Sequence, residues 1–351
     1  MKWPKISLSE PSLRSAAGNR ERIYADCARS FPTSTLASLD RLRGTGILVT
    51  GASGFMGSWL LSALAFLNDI HGFGTRVTAV ARHPARAEQR APFLVGRSDI
   101  RWQAADVRQL VTLPDDLVWL VHAAGVPDSR HHATSPIETA AVIAEGTLRV
   151  LRLAEQATGL QRILHVSSGL VDGAGGHGRP AGPTTAYVEA KRFGETLCYA
   201  FRSQAKLPIV ITRPFTFIGP FQDIDSPWAA NNFLHAAIER QPLKIRGDGT
   251  ATRAYLYGSD MAAMALAQMV LGESGDIFDL GGTEAMTVAD LAHLVAGQVH
   301  RTLDIRINAA ARSSGSDRFV PDMDRTVRQF GVAPAFSTAD AVARSLDWYN
   351  R

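Results

Sequence analysis

A tyrosine and a lysine four residues apart carry the most specific chemical signal in the chain. Tyr187 and Lys191 stand in the segment YVEAK, inside a stretch over 186–203 whose apolar spacing predicts a helix. Four residues make about one helical turn, so both side chains share one face. An ammonium group near a phenol lowers its pKa from about 10 toward neutrality. The pair therefore predicts a general base for an alcohol or sugar hydroxyl, with an ordinary surface pair as the alternative.

Two serines precede this pair at the end of a β-type run. The run RILHVSS occupies 162–168 and ends in Ser167 and Ser168. In a parallel sheet, the carboxyl ends of the strands form the edge where ligands bind. We expect the Ser168 hydroxyl to bond the substrate oxygen beside Tyr187, with Ser167 bordering the same substrate. Capping of a strand end is the other interpretation of either serine.

A glycine-rich segment, GASGFMG at 51–57, lies between a β-type run and a helical pattern. Gly51 permits a tight turn, Gly54 admits a pyrophosphate close to the backbone, and Gly57 lets the helix pack on the strand. The free N–H groups at the start of the helix then favour phosphate. The segment predicts a dinucleotide site, and an ordinary turn between strand and helix is the alternative.

The residue after the second β-type run distinguishes the two nicotinamide dinucleotides. An acidic residue there bonds the ribose 2′-hydroxyl of NAD, whereas arginine suits the 2′-phosphate of NADP. This chain has Ala81, Arg82 and His83 there, with no acid before Glu88. The cofactor is therefore predicted to be NAD or NADP, and Arg82 favours NADP. A solvated surface arginine is the alternative.

The elements that position these residues alternate between strand and helix. β-type runs occupy 46–51, 76–81, 100–106, 118–124, 162–168 and 208–214, with helical patterns between them. This alternation predicts an α/β fold with a Rossmann-type doubly wound parallel sheet. We expect this dinucleotide-binding domain to cover 45–214, with 259–283 returning to it. Residues 215–351 are predicted to form a smaller C-terminal α/β substrate-binding domain in which a loop carries Arg253. Residues 1–44 are predicted to be a helical arm, with a helix near 20–30.

The composition is that of a soluble globular protein, with 46% hydrophobic and 20% charged residues in a chain of 351. Cys27 and Cys198 are too few for a disulfide scaffold, so a reducing cytoplasm is expected. No apolar run approaches the ~20 residues of a membrane span, so no membrane partner is predicted. The histidines form no zinc signature, and no metal is expected. His131 and His132 are predicted to lie in a solvated loop.

The net charge of +4 is small and sits entirely in residues 1–44. In the remaining residues the basic and acidic side chains are equal in number, so no nucleic-acid partner is predicted. We expect the basic arm to pack on the core or on a partner subunit.

An ordered set of motifs then identifies a family resemblance. The chain carries, in order, GASGFMG, Asp106, HAAG at 122–125, SS at 167–168, YVEAK, TRPFTFIGP at 212–220 and RGDGTATRAYLYGSDMA at 246–262. These resemble the extended short-chain dehydrogenases/reductases and, more narrowly, the NAD(P)-dependent nucleotide-sugar epimerase/dehydratase family. The resemblance spans about 45–351.

The resemblance implies roles for individual residues. Tyr187 would be the base, and Lys191 would also hold the nicotinamide ribose. The implied cofactor contacts are Gly51, Gly54, Phe55, Met56, Gly57, Arg82, Asp106, Val107, Ala123, Ala124, Gly125, Pro214 and Phe215. A nucleotide-diphosphate sugar would meet Asn232, Arg253 and Asp322. The family also implies a homodimer formed through helices at about 138–157 and 186–203.

Four positions depart from the family pattern. Gly169 and Leu170 stand where the dehydratases carry an Asp-Glu pair that drives elimination, and the glucuronate decarboxylases keep that Glu. Asp172 replaces the usual tyrosine, and Thr216 replaces the usual asparagine. A 4,6-dehydratase is therefore not favoured, and these positions do not specify which sugar is the substrate.

Three functional hypotheses follow. The leading one is a nucleotide-sugar epimerase that oxidises the sugar, with C4 as the expected position, and reduces the keto-sugar on its opposite face. The second is an NADPH-dependent ketoreductase of the same architecture, which the Arg82 preference supports. The third is a non-catalytic, cofactor-sensing binding protein on the same fold.

Overall fold

The computed structural model describes residues 10–173, 182, 184–299, 303–307 and 317–350. Its strands, numbered along the chain, are β1 Gly46–Thr50, β2 Arg76–Ala81, β3 Ile100–Ala104, β4 Leu117–His122, β5 Arg162–Val166, β6 Ile209–Pro214, β7 Thr216–Ile218, β8 Leu243–Ile245, β9 Thr252–Tyr257, β10 Ile277–Leu280, β11 Ala285–Thr287, β12 Ile305–Ile307 and β13 Arg318–Phe319.

The α-helices of the same residues are α1 Glu10–Ser30, α2 Thr33–Ser38, α3 Phe55–His71, α4 Ala85–Arg90, α5 Ser129–Thr134, α6 Pro136–Ala154, α7 Leu170–Gly173, α8 Thr185–Ala205, α9 Ala229–Ile238, α10 Gly258–Leu271, α11 Val288–Gly297, α12 Asp324–Phe330 and α13 Thr338–Tyr349. Short 3₁₀ turns cover Asp40–Leu42, Pro92–Leu94 and Val107–Gln109.

Seven of these strands form one parallel sheet in the order β10-β6-β5-β4-β1-β2-β3. The strands β1 to β3 extend to one side and β4 to β6 to the other, so the winding reverses between β1 and β4. Open α/β sheets bind ligands at such a switch point, outside the carboxyl ends of the strands. The predicted doubly wound sheet is confirmed, and each of the six β-type runs overlaps one of its strands.

Both faces of this sheet are covered by helices, which explains its continuous apolar strands. Along β1, Ile47 and Val49 join the apolar core that α3 and α10 share, whereas Leu48 points into the core beneath α6 and α8. Successive residues of a strand face opposite sides, so one strand serves two cores. The carboxyl ends of β1 and β4 are thereby held in fixed register at the edge of the sheet where ligands bind.

The chain after Pro214 adds a smaller set of strands around β9. Strand β9 pairs with β11 in antiparallel orientation and with β7 and β13 in parallel, while β8 pairs with β12. The expectation that Arg253 lies in a loop is wrong, because Arg253 is the second residue of β9. Strands this short form through pairing partners distant in the sequence, which local periodicity does not reveal.

The N-terminal helix α1 packs against α3 and α10. Ile23, Cys27 and Phe31 are buried beneath it. Its buried Asp26 accepts a hydrogen bond of 2.6 Å from the Tyr257 hydroxyl and forms an ion pair with Arg344 of α13. The arm therefore contacts elements from both ends of the chain. No helix among the described residues is long and apolar enough to cross a membrane.

Candidate active site

The glycine loop closes tightly on the end of β4. Gly51 has a positive φ of 70°, and a Cβ there would lie 2.6 Å from the Ala123 carbonyl oxygen. A Cβ on Gly57 would lie 2.5 Å from the Ala52 Cα. Both positions exclude any larger residue. The loop leads into α3 at Phe55, whose N-cap Gly54 offers no side-chain cap, so the first N–H groups of the helix face outward for a phosphate. These features fit a dinucleotide.

A buried network fixes the next cofactor-lining segment. The Thr50 hydroxyl accepts hydrogen bonds from the N–H groups of Ala123 and Ala124, at 3.1 and 3.2 Å. Its own proton is then directed to His122 Nδ1 at 2.9 Å, which leaves the His122 Nε2–H to donate to Thr147 at 3.2 Å. Burial lowers the pKa of His122 to about 3, so the ring is neutral. The switch point is thus held by hydrogen bonds from β1, β4 and α6.

The structure brings Ser168, Tyr187 and Lys191 together at the carboxyl edge of the sheet. All three are buried, and Ser168 lies close enough to the Tyr187 phenol to favour its ionised form. Lys191 donates from Nζ to the Val166 carbonyl oxygen at 2.7 Å. A Cβ added to Gly125 would lie 3.5 Å from the same Nζ, so the lysine also borders the cofactor segment.

The expectation that Lys191 lowers the pKa of Tyr187 is wrong for this structure. Burial raises the pKa of the Tyr187 phenol, and the neighbouring Ser168 opposes that rise. The Lys191 Nζ lies 5.9 Å from the phenol ring centroid, and burial lowers its own pKa to about 8. Desolvation therefore outweighs the charge of the lysine.

His132 is not in a solvated loop, as the sequence suggested. It is buried in α5, and its ring stacks on the ring of Tyr187 with centroids 4.3 Å apart and planes 13° apart. His131 also lies within α5 rather than in a loop; it is half-buried, and its Nδ1 is 3.1 Å from the Thr139 hydroxyl. Sequence reasoning missed His132 because nothing in the local pattern relates a residue after β4 to one in α8.

The adenine side carries a charge cluster. Asp106 caps a 3₁₀ turn by accepting the Arg108 N–H at 2.9 Å and pairs with the Arg108 guanidinium, which also reaches Glu138. The Arg108 hydrogen bond lowers the pKa of Asp106, and the charge of exposed Arg82 adds to that effect. Val107 is buried against Gly146.

A second arginine, Arg90, was not predicted. Its Nη1 donates to the Ser53 carbonyl oxygen at 2.6 Å, at the tip of the glycine loop. Burial lowers the pKa of its guanidinium. The contact joins the last residue of α4 to the loop that would hold the pyrophosphate. No sequence motif indicates this pairing.

Near the expected nicotinamide, Phe215 occupies the space beside Gly169. A Cβ on Gly169 would lie 2.6 Å from two atoms of the Phe215 ring, and that ring stacks on Phe319 at 4.5 Å. Pro214 ends β6 next to Leu280. Asp172 pairs with Arg213 at 2.6 Å. At the two positions where the dehydratases carry acids, this chain therefore has Gly169, which lies against the Phe215 ring, and Leu170.

The expected sugar-nucleotide residues lie on the C-terminal elements and make local contacts. Arg253 donates to the Asp317 carboxylate at 2.7 Å, Asn232 donates to the Pro227 carbonyl oxygen at 3.3 Å, and the Asp322 N–H donates to Asp279 at 2.8 Å. Ser167 is buried, and its hydroxyl has no hydrogen-bond partner in the part of the chain that the structure describes. In the same part, no three His, Cys, Asp or Glu side chains converge as a metal site.

Fold and site together define a dinucleotide-binding α/β protein with a buried Ser-Tyr-Lys group at its switch point. Residues 47–281 match the model of the NAD dependent epimerase/dehydratase family, and the chain belongs to that family.

Relatives with assigned activities share modest identity with this chain. UDP-glucuronic acid decarboxylase 1 of Xenopus tropicalis is 26% identical over 97% of this chain and 79% of its own length. The protein of the same name from Danio rerio is 26% identical over 91% of this chain and 75% of its own length.

Solved structures share the fold. UDP-glucuronic acid 4-epimerase from Bacillus cereus, in complex with UDP-glucuronic acid and NAD, has a TM-score of 0.73 and 22% identity over 87% of this chain and 98% of its own. The Bordetella bronchiseptica enzyme WbmF, in complex with NAD⁺ and UDP, has a TM-score of 0.73 and 19% identity over 88% of this chain and 93% of its own.

Proposed function

We propose that this chain is a nucleotide-sugar epimerase that inverts C4 of a nucleoside diphosphate sugar. The observation that carries this proposal is the buried triple of Ser168, Tyr187 and Lys191 at the switch point. A UDP-sugar is the first substrate to test, because the similar structures contain UDP-glucuronic acid or UDP.

The cofactor would be held by the glycine loop, by Ala123 to Gly125 and by Lys191. When bound, a nicotinamide dinucleotide would supply the hydride acceptor and donor. The buried Tyr187 phenol, whose pKa is raised by desolvation, would then ionise more easily beside the positive charge of the oxidised cofactor. We propose that Tyr187 takes the C4 hydroxyl proton and gives it back after inversion, while Ser168 bonds the same oxygen.

A second candidate is decarboxylation of UDP-glucuronic acid, favoured by the relatives that carry that activity. Both reactions begin with oxidation at C4, which Tyr187 would serve equally. A uronic acid oxidised at C4 is a β-keto acid, and such acids lose carbon dioxide readily. Leu170, in place of the glutamate that the decarboxylases keep, argues for epimerisation. The absence of an acid at Gly169 and Leu170 likewise argues against 4,6-dehydration.

The test is incubation of the purified protein with UDP-glucose or UDP-glucuronic acid and chromatographic identification of the product. A 4-epimer of unchanged mass supports the proposal, whereas a pentose product and carbon dioxide support the decarboxylase. Steady consumption of added NADPH would identify a ketoreductase instead. An unchanged turnover in Tyr187→Phe would contradict the role of the phenol, and no turnover of any sugar would favour a binding protein.

The cofactor preference is a separate proposal. Arg82 is exposed after β2, and no acidic residue follows it in the sequence before Glu88, so we propose that the 2′-phosphate of NADP is accepted there. The complexes of the similar structures contain NAD. Calorimetric titration with both dinucleotides decides between them, and Arg82→Ala should reduce NADP affinity without changing NAD affinity. Equal loss for both cofactors would contradict the assignment.

We also propose a homodimer formed through α6 and α8. These helices pack on each other and expose Ile137, Phe193 and Tyr199, which are 85%, 49% and 65% exposed. Large apolar side chains left exposed on a pair of packed helices are a feature of subunit interfaces. Light scattering should give a dimer mass, and Phe193→Glu with Tyr199→Glu should give a monomer. A monomeric wild-type protein would contradict the proposal.

A further inference from the structure

The ring of His132 covers one face of the Tyr187 phenol. The two rings are nearly parallel, at 13°, with centroids 4.3 Å apart, and the side chains are 2% and 7% exposed. His132 belongs to α5, which follows the cofactor-lining segment of β4, while Tyr187 belongs to α8. The stack therefore joins two parts of the proposed site that are 55 residues apart.

The hydrogen bonds of His132 define its tautomer. The ring nitrogen Nε2 lies 2.7 Å from the Val126 carbonyl oxygen, which only accepts, so Nε2 carries the proton. The other nitrogen, Nδ1, is buried and has no hydrogen-bond partner among the described residues. In this neutral ring Nδ1 is an unprotonated acceptor. Because Val126 follows Gly125 directly, the ring is anchored to the segment expected to line the cofactor.

Burial favours the neutral form of His132. Burial lowers the pKa of His132, and the charges of His131 and Lys191 act in the same direction. Asp128 and the Val126 carbonyl oppose the shift. Asp128 is itself paired with Arg130 at 2.7 Å, which reduces its pull on the imidazole. A neutral ring offers the phenolate no compensating charge.

We propose that His132 is a positioning residue for Tyr187, which holds the phenol plane by stacking and shields one face of the ring from water. The inference rests on the proposed function, since it takes Tyr187 as the base. Shielding by a neutral ring disfavours the phenolate, so removal of the ring has two consequences. The phenol loses its fixed orientation, and its pKa falls because water reaches it.

Two substitutions distinguish the contribution of the His132 ring from that of its hydrogen bond to Val126. His132→Gln keeps an N–H donor in reach of Val126 and removes the ring, whereas His132→Phe keeps the ring and removes the donor. His131→Asn, on the same helix, is the matched control because its amide can still bond Thr139. Circular dichroism and thermal unfolding establish that each variant is folded.

We expect His132→Gln to lower kcat by about 10- to 100-fold with little change in KM, because misorientation of a reacting group has effects of that size. Its acidic limb in the profile of kcat/KM against pH should move to lower pH. His132→Phe should stay within about threefold of the wild type with its limb unmoved, and His131→Asn should match the wild type.

An assay without turnover gives an independent readout. Tyrosinate absorbance of the wild type minus that of Tyr187→Phe reports titration of this phenol, and His132→Gln should move that titration to lower pH. A His132→Gln protein with the kcat and the phenol titration of the wild type would overturn the inference. A loss of kcat in His132→Phe as large as that in His132→Gln would also overturn it. An active Tyr187→Phe would instead refute the proposed function, whatever the His132 variants do.

Discussion

Replacement of Gly169 by alanine is expected to destabilise the protein and displace Phe215. The added Cβ would lie 2.6 Å from Cε2 and Cζ of that ring and 2.8 Å from Cδ2, well inside van der Waals contact. Phe215 has little freedom to withdraw, because its ring stacks on Phe319 at 4.5 Å and its Cβ faces Gly281. The ring must rotate off its stacked position or the strand ends must separate.

The size of the effect follows from two contributions. Overpacking of a filled site costs about 1–3 kcal/mol. Loss of the aromatic stack adds about 0.5–1.5 kcal/mol. We therefore expect Gly169→Ala to lower the free energy of unfolding by about 2–4 kcal/mol, which urea denaturation followed by tryptophan fluorescence measures directly.

A double-mutant cycle isolates the contact. Phe215→Leu makes room for the methyl group, so adding Gly169→Ala to Phe215→Leu should cost at least about 1 kcal/mol less than adding it to the wild type. Gly297→Ala is the control, because a Cβ at Gly297 meets nothing within 4 Å. Strict additivity of the two substitutions, or a cost of Gly169→Ala below about 0.5 kcal/mol, would refute the steric argument.

Three further outcomes are expected. Burial raises the pKa of Asp26 from 3.8 to about 6, so the folded state binds a proton that the unfolded chain releases earlier. The free energy of unfolding should therefore fall by up to about 3 kcal/mol between pH 4 and 6, and Asp26→Asn should flatten that slope in thermal melts taken across pH; an unchanged slope would contradict the assignment. Gly57→Ala should weaken dinucleotide binding at least about tenfold in calorimetry, because its Cβ would lie 2.5 Å from the backbone of Ala52, which cannot rotate away; wild-type affinity would be inconsistent with that geometry. Arg90→Met should weaken dinucleotide binding about three- to tenfold by releasing the Ser53 carbonyl at the loop tip, while the unfolding midpoint stays near the wild type; no change in affinity would show that this contact does not order the loop.

The outcomes above depend on contacts that the sequence does not display. The sequence places glycine at 51, 54 and 57 between a strand and a helix, and it places Tyr187 and Lys191 one turn apart. Each of these signals lies within about seven residues, and backbone geometry alone converts such spacing into a shared loop or a shared helix face. The apolar runs of the five inner strands are equally local, because burial on both faces removes polar residues from them.

Local spacing does not predict the surroundings of residues that are packed against distant segments of the chain. His132 was expected to face solvent, but α8 supplies the ring that covers it. Lysine was expected to lower the pKa of Tyr187, but desolvation by the surrounding elements outweighs one charge 5.9 Å from the ring centroid. Arg253 was expected in a loop, but it pairs with β11 on one side and with β13 on the other.

The sequence by itself therefore determined the doubly wound sheet, the glycine loop between β1 and α3 and the Tyr-Lys pair, since short spacing and periodicity encode them. Only the tertiary structure decided that Phe215 fills the space beside Gly169, that His132 stacks on the proposed base, and that the phenol is desolvated. The physical reason is that burial and steric exclusion are set by packing between distant elements, and no spacing within one element specifies what will lie against it.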